Sequence, residues 1–174
     1  MKESNGFSLI ELLIVVEIII IIAAISIPNL LRSRMAANEA SAVGSVRTMN
    51  VAAIEYQSTY GAFPSPLAQI GTTTGAAVGR NNSQFIDAVL TGGVKSGYNL
   101  TLVPGTHAVP SASLPSGCIP GYSDGYVATA NPVTVGTTGQ RAFCSDASGV
   151  IRSNPAGTAS YTAPLCDPTQ NPLQ

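Results

Sequence analysis

Two carboxylates, Glu11 and Glu17, stand in an otherwise apolar stretch near the N-terminus. From Leu12 to Ile27 every residue is apolar except Glu17 and Ser26. The longer stretch 7–31 supplies the length of about 20 residues that a helix needs to cross hydrocarbon. An acid in the centre of such a helix costs roughly 2.5–3.5 kcal/mol. Each carboxylate therefore calls for a partner or a function of its own.

Three interpretations of this stretch compete. A cleaved secretory signal has a basic start, a short apolar core and a small-residue cut site, for which Ala24-Ile25-Ser26 would just suffice. However, Lys2 is offset by Glu3, and Glu17 would lie inside the apolar core. A permanent membrane anchor leaves both acids unexplained. In the third interpretation, the helix resides in the membrane only temporarily.

The cysteines offer a second kind of chemistry. Three are present, Cys118, Cys144 and Cys166, and none belongs to a CxxC motif. In an exported chain, an odd count indicates one disulfide and one unpaired thiol. Of the three possible pairings we favour Cys144–Cys166, which would tie the C-terminal tail to the rest of the domain and stabilise it by about 3 kcal/mol. Cys118–Cys144 is the next choice.

No group of residues predicts catalysis or metal binding. His107 is the single histidine, whereas a metal site needs several ligands. Asp124, Asp146 and Asp167 are scattered, and Asp146 is best explained as a turn residue. Only 10% of the residues are charged, the net charge is −1, and no basic run indicates nucleic acid. We therefore expect no enzyme activity, no cofactor, no metal and no specific nucleic-acid partner.

A long N-terminal helix has to position the two acids. Residues 7–31 form its apolar half, and residues 32–57 form an amphipathic half. In this second half, apolar residues recur at three- to four-residue spacing, namely Val43, Val46, Met49, Ala53 and Tyr56. Pro28 removes a backbone donor and clashes with the preceding turn, so a kink is expected there.

The remaining residues, 58–174, read as a loop-rich head. We predict a short helix capped by Ser83, strands at 98–102 and 126–130, and a hairpin around Asp146. Residues 104–124 and 154–174 are rich in Pro, Gly and Ser and are expected to be loops. The predicted fold class is α+β, with a long kinked N-terminal helix packed by its C-terminal half on a small antiparallel β-sheet.

The N-terminal residues resemble a known family. The sequence GFSLIELLIVV, with Pro28 further along the helix, is similar to the class III signal of type IV pilins and type II secretion pseudopilins. This similarity covers about residues 1–57. In the head, GYNLTLVPG and the later TTGQRAFCSDASGVIRS resemble a pilin-like subgroup and extend the similarity to roughly residue 153.

The resemblance implies that residues 1–6 are a leader, that prepilin peptidase cuts between Gly6 and Phe7, and that the new amine of Phe7 is methylated. It implies a subunit held in the inner membrane and then built into an extracellular pilus, a homopolymer, by an inner-membrane assembly platform and its ATPases. The alternative in the family is a pseudopilin, a subunit of a piston-like periplasmic pseudopilus. A membrane-anchored binding module is a different possibility, and such a protein would remain uncut.

The predicted assembly residues are Glu11, Glu17 and Pro28, and the resemblance accounts for Glu11 and Pro28. Glu11 gains a partner in the Phe7 amine of its own chain or of a neighbour, and pairing with a neighbour sets an axial register. Glu17 lies outside the family pattern. It is either protonated or paired with a cation in a packed bundle, or it contacts Arg32 or Arg34 of another subunit.

Overall fold

A computed structural model describes residues 7–64, 66–73, 75–105, 123, 125–159, 161–162 and 165–173 of the 174-residue chain. Two compact units are distinguished, Met1–Arg34 and Met35–Gln174. Several predicted features lie outside the described residues: the leader 1–6 with its Gly6, Cys118, His107 and Asp124.

Helix α1 spans Leu9–Tyr60 and contains Pro28. Its end follows from Gly61, whose φ of 82° is left-handed and whose N–H donates to the Gln57 carbonyl at 2.8 Å. Glycine adopts this conformation at low cost and commonly terminates helices. The helix therefore continues slightly beyond the expected end at Gln57. The kink at Pro28 stays a prediction.

The described residues form the strands β1 Val94–Lys95, β2 Tyr98–Pro104, β3 Tyr126–Pro132, β4 Ala142–Asp146, β5 Ile151–Asn154, β6 Tyr161–Thr162, β7 Leu165–Cys166 and β8 Asn171–Pro172. The main sheet is antiparallel and has six strands in the order β1-β2-β3-β4-β5-β8. A separate two-stranded sheet pairs β6 with β7. The predicted strands at 98–102 and 126–130 and the predicted hairpin correspond to β2, β3 and the β4–β5 pair.

The C-terminal tail contains strands that the sequence did not predict. Within 154–174, expected to be loop, β8 pairs with β5 through Arg152↔Pro172 and Ser153↔Asn171, and β6 pairs with β7. Each of these three strands is two residues long. A strand this short displays no alternation of apolar and polar residues, so only its partner defines it.

Two short helices precede the sheet, α2 at Leu67–Ile70 and α3 at Ala88–Thr91. The predicted cap at Ser83 is wrong, because its hydroxyl donates to the Gln69 carbonyl at 2.9 Å. Asp87 caps α3 instead, and its carboxylate accepts from the Leu90 N–H at 2.7 Å. Aspartate is among the best N-cap residues, so the start of α3 is locally encoded after all.

The core lies between α1 and one face of the sheet. Helix residues Val46, Met49, Ala53 and Tyr56 are fully buried, as their spacing predicted. They share a cluster with alternate residues of β3, namely Tyr126, Ala128 and Ala130. Val127 belongs to a second cluster, with Cys144 and Cys166. Because neighbouring side chains of a strand point to opposite faces, β3 is covered on both faces, and the architecture is α+β as expected.

A buried polar contact fixes how α1 lies on the sheet. The Asn50 amide donates to the Ser145 hydroxyl at 2.7 Å and accepts from the Tyr126 hydroxyl at 3.2 Å. All three residues are buried. A shift of α1 along the sheet would leave these groups without partners, and each unsatisfied group costs about 1–3 kcal/mol.

Candidate assembly site

The N-terminal part of α1 presents a largely apolar surface that contains the two acids Glu11 and Glu17. Large hydrophobic side chains between Phe7 and Leu31 are 43–80% exposed. By length and composition alone, α1 qualifies as a membrane-spanning helix, with a mean hydropathy of 2.9 over its most apolar window. An exposed apolar surface of this size requires cover, either by lipid or by other protein.

Glu11 lies in the first turn of α1 and reaches back to its start. Its carboxylate accepts from the backbone N–H of Ser8 at 2.9 Å. This is the glutamate half of a capping box, in which the residue three positions into a helix satisfies an otherwise unpaired N–H. The Ser-x-x-Glu spacing of Ser8 and Glu11 is typical of this contact, which Glu11 makes in addition to the predicted pairing with the Phe7 amine.

Glu17 lies further along the same apolar segment. Together with apolar neighbours it lines a shallow groove, whose other residues are Leu13, Val16, Ile20 and Ile21. Its carboxylate makes no hydrogen bond or ion pair with any residue that the structure describes.

In the second unit, Glu39 of α1 forms hydrogen bonds and an ion pair with the loop before β4. One oxygen, Oε1, accepts from the backbone N–H groups of Gln140 and Arg141 at 2.9 and 3.1 Å. The other, Oε2, receives Nε and Nη2 of Arg141 at 2.9 and 2.8 Å. Burial opposes ionisation, but these hydrogen bonds from Gln140 and Arg141 outweigh it and hold the pKa of Glu39 below its ordinary value.

Further contacts join the same stretch of α1 to this part of the head. The Asn38 amide donates to the Thr138 carbonyl at 2.9 Å. The Tyr98 hydroxyl donates to the Arg141 carbonyl at 2.8 Å. Burial, together with the nearby charge of Glu39, raises the pKa of Tyr98 to about 12, so this hydroxyl stays a donor at neutral pH. We call Glu39, Arg141, Asn38 and Thr138 the helix clamp.

Gly139 lies between Thr138 and Arg141 of the helix clamp and lets this loop pass close to Tyr98. A Cβ at this position would collide with the ring and hydroxyl of Tyr98. Steric crowding therefore explains the glycine of the TTGQR motif. Without a side chain at this position, the loop comes close enough for Arg141 to hydrogen-bond with both Tyr98 and Glu39. The sequence showed the motif but not the partner, because Glu39 lies 102 residues away.

The disulfide joins the sheet to the tail. Cys144 of β4 is bonded to Cys166 of β7, with their Cα atoms 6.0 Å apart, so the favoured pairing is confirmed. Beside it, Asp146 accepts from the Ser148 N–H at 2.9 Å and from the Cys166 N–H at 3.0 Å. Burial opposes ionisation of Asp146, but these hydrogen bonds and the charge of Arg152 lower its pKa. Asp146 therefore closes the hairpin, as predicted, and also holds the tail.

A sequence comparison relates part of this chain to a known protein. The chain is 59% identical to the type IV wide pilus major component PilA4 of Thermus thermophilus over 39 residues, which are 22% of this chain and 30% of that protein. Over these 39 residues, the chain is similar to a type IV pilin. The match thus spans less than a third of the pilin it resembles. No family model and no solved structure matches the chain.

Three predicted assembly residues, Glu11, Glu17 and Pro28, lie on the one helix α1, and Phe7 lies just before its first residue. They are spread along the helix rather than gathered at one point. Asp167, considered as a metal ligand, accepts from the Thr169 N–H at 2.9 Å in a local turn. Across the described ranges, no three His, Cys, Asp or Glu side chains come together in a group that could hold a metal ion.

Proposed function

We propose that this pilin-like chain is a structural subunit of a type IV pilus and not an enzyme. The observation that carries the proposal is the exposed apolar half of α1, which bears an acid in its first turn. Lipid can cover this surface before assembly, and the same helices of other subunits can cover it afterwards. The similarity to a pilus component supports the same role.

The proposed sequence of events begins in the inner membrane. Prepilin peptidase removes residues 1–6 and methylates the amine of Phe7, and the assembly platform with its ATPases draws the subunit into the filament. The amine then competes with the Ser8 N–H for the Glu11 carboxylate. A full ammonium is a stronger partner than a neutral N–H, so cleavage gives Glu11 a new partner on a neighbouring chain.

The membrane-bound subunit and the filament differ in what surrounds α1. In lipid, the Ser8 N–H keeps Glu11 hydrogen-bonded within its own chain. In the filament, a Phe7 amine from another subunit is available to it. Assembly is proposed to exchange the Ser8 N–H for the Phe7 amine of a neighbour, so that Glu11 has a hydrogen-bond partner at every stage.

The test is to image filaments sheared from cells that express the full chain and to determine the N-terminal residue of their subunit by mass spectrometry. Long extracellular fibres that begin at N-methylated Phe7 are the expected result. Subunits that retain residues 1–6 would contradict the proposal. Short filaments confined to the periplasm would replace the pilus with the pseudopilus alternative.

A further inference from the structure

Glu17 is the one acid of the apolar segment to which the capping geometry gives no role. It faces outward beside apolar side chains and has no partner among the described residues. Once the segment is covered by lipid or by protein, an ionised carboxylate in this place is costly unless a cation reaches it.

Two arginines that likewise lack a partner of opposite charge follow the apolar segment directly. Arg32 and Arg34 are exposed, and neither contacts a carboxylate in the part of the chain that the structure describes. They cannot serve the Glu17 of their own helix. Arg32 is 15 positions further along, which is about 22 Å at 1.5 Å per residue, whereas an ion pair requires a separation of about 4 Å or less.

We infer that Glu17 pairs with Arg32 or Arg34 of a second copy of this chain, lying parallel and shifted by about 22–26 Å along the helix axis. This inference rests on the proposed filament and names a contact within it. Each subunit offers the acid to one neighbour and the arginines to another. Such a heterologous contact does not close on itself and repeats into an open helical array.

The shift differs from the one that Glu11 requires. Pairing Glu11 with the Phe7 amine of a neighbour shifts the two helices by about 6 Å, since these residues are four positions apart. The two ion pairs therefore join one subunit to two different neighbours. Glu17 would thus determine a second axial register and would bury the charges of Arg32 and Arg34 at the same time.

The experiment measures sheared filament yield from cells that express full-length variants, with membrane-fraction levels as the check on folding and export. Glu17→Leu and Glu17→Gln are each expected to lower the yield about tenfold or more, because removing one partner leaves the buried arginines unpaired. Glu17→Asp should retain most of the yield. Glu55→Gln is the matched control, since Glu55 is exposed on the same helix and its carboxylate makes no hydrogen bond or ion pair in the described residues.

Charge reversal adds a second arm. Glu17→Arg should abolish filaments, and combining it with Arg32→Glu and Arg34→Glu should restore them. Wild-type filaments together with a normal yield from Glu17→Leu would overturn this inference alone. Absence of filaments from the wild-type chain would instead remove the proposed function.

Discussion

At the scale of single residues, Glu39 makes the polar contact that joins α1 to the loop before β4. Its carboxylate satisfies two backbone N–H groups and the guanidinium of Arg141. Glu39→Gln keeps the shape but replaces one oxygen with an NH₂ group that faces the guanidinium. We expect a loss of roughly 1.5–3 kcal/mol in the free energy of unfolding, the usual range for a hydrogen bond to a charged group. Denaturant unfolding of the detergent-solubilised chain measures it.

The control for this substitution is Glu55→Gln on the exposed side of the same helix. It should change the free energy of unfolding by no more than about 0.5 kcal/mol, as surface substitutions usually do. Equal effects of the two substitutions would mean that the clamp contributes nothing specific.

The same carboxylates predict an acid limit of stability. The pKa values of Glu39 and Asp146 are lowered in the folded chain from ordinary values of 4.5 and 3.8. Protonation therefore favours the unfolded chain. Their contribution is complete above those ordinary values and is lost as the pH falls through the lower folded-state values. Thermal unfolding midpoints recorded from neutral pH downward should fall in this range, and the fall should be shallower in Glu39→Gln.

At the scale of elements, the C-terminal tail depends on its attachment to β4. Cys144→Ser combined with Cys166→Ser should cost about 2–5 kcal/mol, as loss of a native disulfide usually does. Because β6, β7 and β8 are each only two residues long, limited proteolysis should then cut first within residues 154–173. Cys118→Ser is the control, and its non-reducing peptide map should still contain the Cys144–Cys166 peptide. A protease-resistant tail in the double variant would contradict this role.

At the scale of the whole molecule, assembly is expected to depend on Glu11 more than folding does. Glu11→Ala removes the partner proposed for the Phe7 amine, and the hydrogen bond that this carboxylate accepts comes from Ser8 at the start of its own helix. Export, cleavage and the unfolding midpoint of the head should stay normal, whereas filaments should be lost. Electron microscopy of sheared material, with mass spectrometry of the membrane-bound subunit, measures both. Normal filaments from this variant would remove Glu11 from the assembly mechanism.

Much of the fold was predictable because its signals are local. The buried residues of α1 recur every three to four positions, as in Val46, Met49 and Tyr56. The turn between β4 and β5 is indicated by its turn residues Asp146 and Gly149. The alternation of Tyr98, Leu100 and Leu102 predicted β2, and all three are buried. The short tail strands were missed because a strand of two residues shows no alternation of apolar and polar side chains. These strands form only through pairing with β5 and attachment by the disulfide.

The sequence by itself determined the apolar helix, its two acids and the residues that resemble a pilin signal. These are properties of neighbouring residues, and their chemistry does not depend on the rest of the chain. Only the tertiary structure decided that Glu39 meets Arg141, that Asn50 joins Tyr126 to Ser145, and which two cysteines pair. These contacts join residues separated by as many as 102 positions. No local pattern encodes such a contact, since it forms only when helix and sheet pack together.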